Sequence, residues 1–150
     1  MYKRQAIYTA IAKHLSEECP FLRLIDIDRG QLNTLYGESS RPMVAFPCLL
    51  IRISTRRALD ITPYEQECEA TISLSYATDR VTETAQHIHS TRQMEGLKPY
   101  DELAEIYKAL QGWDAEGAIA PLSCSSEEPL EIQPGIFAER FNFDTRFQRL

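Results

Sequence analysis

Two neighbouring histidines are the first side chains in this sequence that suggest chemistry, because imidazole is a common metal ligand. His87 and His89 are separated by a single residue. On a helix, side chains two positions apart point about 200° away from each other, so they cannot bind one ion as a pair four positions apart can. His14 would have to join them from another part of the chain. We therefore predict surface or rim histidines and no metal site.

A pair of glutamates is the second candidate, for acid and base catalysis. Glu67 and Glu69 alternate with apolar residues, so both carboxylates lie on one face of a predicted strand. A solvated strand face needs polar side chains as well, and nothing in the sequence indicates a pocket around them. No serine has the Gly-x-Ser-x-Gly setting of a nucleophile, and the six glycines form no phosphate-binding loop. We expect no catalytic residue, no cofactor and no enzymatic activity.

The four cysteines, Cys19, Cys48, Cys68 and Cys124, are scattered and contain no Cys-x-x-Cys pair. Zinc sites and redox motifs usually have short cysteine spacing. Cys48 and Cys68 stand in strand-like runs, and we interpret them as small buried hydrophobic residues. We expect no disulfide.

An exposed group of arginines and tyrosine is the most suggestive feature. Residues 55–66 predict a long loop between two strands, and long loops are often functional. Arginine and tyrosine anchor many protein interfaces, although a solvated loop would have the same composition. The exposed side of the last predicted strand adds further arginines. The candidate interface residues are Arg56, Arg57, Asp60, Tyr64, Arg140 and Arg146.

Composition sets the class of protein. The chain has 150 residues, of which 43% are hydrophobic and 25% charged, as in a single ordinary globular domain. Its net charge of -6 argues against binding nucleic acid over the whole surface, although a local basic patch remains open. There is no signal-peptide core and no apolar run of the roughly 20 residues that span a bilayer. We expect a cytosol-like compartment and no membrane partner.

The alternating stretch Glu67–Thr78 is the element on which the predicted fold depends. A two-residue period places one set of side chains in a core and the other set in solvent. Sheets with one solvated face are usually antiparallel and carry helices on the apolar side. The predicted core set is Cys68, Ala70, Ile72, Leu74 and Tyr76.

Periodicity and turn residues predict the remaining elements. Helices are expected at 2–17, from Asp79 to about 93–96, and from about Asp101 to Gly112. Other strands are expected at 43–54, with a bulge or edge position at Pro47, at 119–126 and at 136–147, and residues 21–27 form a connector or an edge strand. Loops or turns are expected at 31–41, 113–117, 127–129 and 133–135. The fold class is α+β, with about four antiparallel strands and two to three helices on one face.

This order of elements resembles the tail terminator and tail-completion proteins of long-tailed bacteriophages, a group that includes head-tail joining and minor tail proteins. An extra helix-like segment at 93–110 and a long connection at 119–135 depart from the pattern, so a neck or minor tail role stays open. The likeness covers nearly the whole length. The matching segments are the opening helix 1–8, the strand 42–53, the strand at Glu67, the helix after Asp79, the helix 100–110 and the closing strand 141–143.

The resemblance implies a structural protein that forms a ring, commonly of six subunits, at the head-proximal end of the tail. Such a ring ends tube growth and joins the tail to the head. The implied partners are further copies of the chain, the tail tube protein and the head-tail connector, without specific nucleic-acid binding. The implied location is the host cytoplasm during assembly and then the virion tail. A negative net charge suits a channel through which DNA passes.

Two other classes of protein remain open from the residues alone. One is a small cytosolic α+β enzyme or ligand-binding protein that uses the region of Glu67, Glu69 and His87. It would require a pocket of several hundred Å³ with converging polar groups, roughly the size of known ligand sites. The other is a cytosolic adaptor that binds one partner through the same loops.

Overall fold

The computed structural model of the protein describes residues 2–33, 44–79, 84–86 and 89–150. The predicted loop at 34–41, the predicted helical residues 80–83, and His87 and Ile88 therefore lie outside the described residues. The described elements are α1 (Lys3–Glu18), β1 (Leu24–Ile27), β2 (Cys48–Thr62), β3 (Glu65–Thr78), α2 (Ser90–Gly96), α3 (Lys98–Leu110), β4 (Ser123–Leu130) and β5 (Phe137–Arg149).

The strands form one sheet in the order β1-β2-β3-β5-β4. β3 pairs antiparallel with β2 on one side and with β5 on the other, and β4 pairs antiparallel with β5. The short β1 runs parallel to β2 and covers only Cys48–Ile51. The α+β class is confirmed. The sheet has five strands and one parallel edge, where about four antiparallel strands were expected.

The predicted core set of β3 is confirmed, since each of its five side chains is fully buried. These side chains belong to one core cluster with α1 and α3, which contribute three buried apolar residues each. The helix contacts come from Ile7, Ile11, Leu15, Leu103, Ile106 and Leu110.

The opposite face of the sheet is not wholly solvated, which corrects the expectation of one wet face. A second, smaller apolar cluster covers it beside β1, and it contains Cys48, Leu50 and Ala77. Ser75 on the same face is only 2% exposed. Because apolar residues of β2 face both ways at 48–51, this end of the sheet is buried on both sides.

The prediction of a long loop at 55–66 is wrong. β2 and β3 continue as a hairpin to a two-residue turn at Pro63 and Tyr64. The pattern was hidden because almost the whole outer half of β2 is exposed, so no burial imposes apolar alternation on its sequence. Irregularities in the β2–β3 pairing occur at Arg56 and Ile61.

Proline explains two further corrections. The strand predicted at 43–54 begins at Cys48, directly after Pro47, which lacks the N–H that pairing requires. The turn predicted at 127–129 lies inside β4, because an edge strand tolerates Pro129 on its open side. The turn predicted at 133–135 is confirmed, with Gly135 at φ 88°.

The helix predicted after Asp79 is corrected in its described part. Residues 84–86 are not helical, and α2 begins at Ser90, where His89 accepts a hydrogen bond from the backbone N–H of Thr91 at 3.3 Å. The helices predicted at 2–17 and from Asp101 are confirmed as α1 and α3.

Candidate functional site

The sheet face opposite α1 and α3 carries a row of hydrogen-bonded polar side chains between β3 and β5. Three cross-strand bonds connect them at 3.1, 2.7 and 3.3 Å. Strand pairing brings these residues opposite each other, so their side chains meet without long excursions of the backbone. The bonds run from Thr71 to Asp144, from Ser73 to Asn142 and from Arg140 to Ser75. We call this surface, together with the charged residues described next, the polar face.

Arginines on the polar face alternate with carboxylates. The closest N–O distances are between 3.5 and 3.9 Å, and the arginine side chains are 35–65% exposed. Exposed ion pairs of this length contribute roughly 0–1 kcal/mol to stability, so the arginines are free to find other partners. The pairs are Arg56–Asp144, Arg140–Glu128 and Arg146–Glu69.

A bulge in β2 places two successive arginines on this face. The pairing passes from Thr55 to Arg57 with Arg56 as the extra residue. Arg57 pairs in register with Glu69, and Arg56 reaches Asp144. A bulge re-aims side chains in this way because two residues oppose one on the partner strand.

Four of the six predicted interface residues are therefore gathered on the polar face, namely Arg56, Arg57, Arg140 and Arg146. The other two lie elsewhere on the hairpin. Asp60 accepts a hydrogen bond from Gln66 Nε2 at 3.1 Å, and Tyr64 occupies the turn with 85% of its surface exposed.

The outer edge of β2 is the feature that sequence reasoning missed. Beyond Ile51, no described strand pairs with it, so residues 52–62 present an open strand edge. Leu59 and Ile61 on this segment are 47% and 49% exposed. In the sequence, this strand edge shows only as a mixture of charged and apolar residues at 52–62, and that mixture suggested a loop.

Recesses on the polar face are lined by charged groups of both signs. One of about 380 Å³ has Arg56, Glu69, Asp144 and Arg146 in its wall. Glu67 and Glu69 share this face as predicted, but Glu69 points toward Arg146 at 3.9 Å. Among the described residues, no group of three or more His, Cys, Asp or Glu side chains could hold a metal ion.

The cysteines differ in how deeply their side chains are buried. Cys48 and Cys68 are fully buried, which confirms their predicted role as core residues. Burial raises the pKa of the Cys48 and Cys19 thiols to about 11. Cys124 is only partly buried, and its pKa is raised mainly by that burial. Such thiols are protonated at neutral pH and are poor nucleophiles.

Within the described parts of the chain, none of the helices is both long and apolar enough to cross a bilayer.

Comparison with known proteins places the fold. No family model matches the chain, and no curated protein matches it. A solved structure does match, a chain of the virion of a native gene transfer agent particle. The likeness has a TM-score of 0.59 at 13% identity and covers 95% of each chain. The α+β fold described above is therefore similar to that of a virion chain over most of its length.

Proposed function

We propose that this protein is a structural component of a phage-like virion and performs no catalysis. The observation that carries the proposal is the fold likeness to a virion chain over 95% of both chains. A match of that coverage concerns nearly the whole chain and not one fragment of it.

In finer detail, we propose that copies of the chain form a ring at the head-proximal end of a tail. There the ring stops growth of the tail tube and contacts the head-tail connector. A ring built by rotation needs two different contact patches on every subunit. The open β2 edge and the edge strand β4 lie at opposite sides of the sheet and are different surfaces. One subunit thus has the two patches that a closed ring requires.

The charge distribution supports the same role. The polar face carries arginines beside carboxylates, and such mixed surfaces recognise a specific partner by matching its charges. The chain as a whole has a net charge of -6, which disfavours tight adhesion of DNA passing through the ring.

Adding the purified protein to purified, growing tail tubes tests the proposal. We expect tubes to stop growing, with extra density at one end in electron micrographs, and capped tubes to join heads. The matched control is the same protein after heat denaturation, which should leave growth unchanged. Tubes that grow normally and carry no bound protein would overturn the tail-end role.

A further inference from the structure

The two edges of the sheet differ in charge. Residues 52–62 on the open β2 edge include three arginines and one aspartate. Two of these arginines also lie near carboxylates of the same chain, since Arg52 is 3.7 Å from Asp28 and Arg56 is 3.5 Å from Asp144. β4, on the far side of the sheet, contains Glu127 and Glu128 and no basic residue. One edge is therefore basic and the other acidic.

Backbone carbonyls of β2 point outward where its open edge begins. The carbonyl of Ile51 accepts a hydrogen bond from the N–H of Asp28 at 2.9 Å, which shows that it points outward. Because strand carbonyls point the same way at every second residue, that of Ile53 is outward as well. Arg4 Nη1 binds it at 3.3 Å with a side chain that lies at the surface. Only this exposed side chain occupies the carbonyl in the described structure.

The acidic edge carries repulsion that a basic neighbour would relieve. Burial, together with the nearby Glu127, raises the pKa of Glu139 on the adjacent strand. On the polar face, Glu128 lies 3.9 Å from Arg140 and stays 54% exposed. The carboxylates of Glu127 and Glu128 therefore have capacity for further cations.

We propose that the β2 edge of one subunit pairs with the β4 edge of the next, so that the sheets join into one continuous sheet. This inference rests on the self-assembly in the proposed function and names the surfaces that carry it. β2 runs parallel to β5 and β4 runs antiparallel to β5, so subunits in the same orientation meet in an antiparallel arrangement. Pro129 lacks an N–H, and the N–H of Cys124 already donates to Gln111 Oε1 at 2.9 Å, so the new pairing uses the part of β4 between these two residues.

Charge excludes the simplest competing arrangement. Pairing two β2 edges with each other would bring the arginine-rich segments of both copies together, and like charges on paired strands are destabilising. The β4 edge offers glutamates to the same arginines. Burial of the exposed Leu59 and Ile61 at the junction adds an apolar contribution.

Exchanging the charges of the two edges tests the inference, and the mass in solution reports whether the oligomer forms. Arg56→Glu/Arg57→Glu and, separately, Glu127→Arg/Glu128→Arg should each shift the wild-type oligomer to monomer. Mixing the two variants, or combining all four substitutions in one chain, should restore the oligomer because opposite charges face each other again. Far-ultraviolet circular dichroism confirms that each variant is folded.

Matched controls change the same charges on the helices, away from both edges. Lys13→Glu/Lys108→Glu and Glu17→Arg/Glu105→Arg alter exposed residues of α1 and α3 and should leave the oligomer unchanged. A wild-type chain that stays monomeric, a Glu127→Arg/Glu128→Arg variant that assembles normally, or a mixture that stays monomeric would each overturn the edge pairing. If the edge variants assemble normally and also cap tail tubes, the edge pairing fails while the proposed function stands.

Discussion

His14 on α1 stacks flat on Trp113, with ring centroids 4.4 Å apart and ring planes 10° apart. Its Nε2 also lies 2.8 Å from the carbonyl oxygen of Ala109, in the last turn of α3. A single side chain thus connects the first helix to the end of the third and to the turn that follows. We interpret His14 as a structural residue of the helical layer.

Removing this connection should destabilise the fold measurably. His14→Ala loses the ring contact and the hydrogen bond, so we expect a loss of roughly 1–3 kcal/mol in the free energy of unfolding. His14→Phe keeps the stacking and should lose less. Trp113 is the only tryptophan, so its fluorescence in a urea titration reports the change directly. Equal midpoints for wild type and His14→Ala would contradict the structural role.

The aromatic core of β5 should be far more sensitive than the hairpin turn. Phe143 is fully buried, and Phe143→Ala should cost about 3–5 kcal/mol because a cavity remains. Tyr64→Ala, at a side chain 85% exposed, is the matched aromatic control and should change stability by less than about 0.5 kcal/mol. Chemical denaturation measures both, and similar losses would show that the turn is packed after all.

Asp26 gives a test by acid titration. The hydrogen bond from Arg29 is the main cause that lowers the pKa of Asp26. Because the folded-state pKa is lowered, the pair stabilises the protein at pH values above the unfolded-state pKa of about 3.9. This stabilisation is lost as the pH falls through the folded-state pKa. Wild type should therefore exceed Asp26→Asn in stability at neutral pH, with the difference vanishing in acid. Carboxyl NMR should show that Arg29→Gln raises the pKa of Asp26, and an unchanged titration would contradict the assignment.

Thiol labelling should distinguish the cysteines. Cys124 is the partly buried one, so it should react first in the native protein. Cys19 and Cys48, with pKa values of about 11, should react only after unfolding. A Cys124→Ser variant should then show almost no native reaction and full reaction in denaturant. Rapid native labelling of that variant, located by mass spectrometry, would refute the buried assignment.

The sequence predicts elements well where burial imposes a pattern. Cys68 to Tyr76 alternate because one side of β3 meets α1 and α3 along its length. Residues 52–62 gave no such pattern, since they are mostly exposed and no burial imposes apolar alternation on them. The candidate arginines were found by residue type, but their common face depends on a bulge and on strand register.

Strand order also sets where solvent deuterium should enter. β3 has a paired neighbour on both sides from Gln66 to Ala77, whereas β2 loses its outer neighbour after Ile51. Amides held between two strands exchange only when a large part of the sheet opens, but an outer strand can detach locally. Exchange should therefore proceed inward from the hairpin tip, and the middle of β3 should be the last part of the chain to take up label.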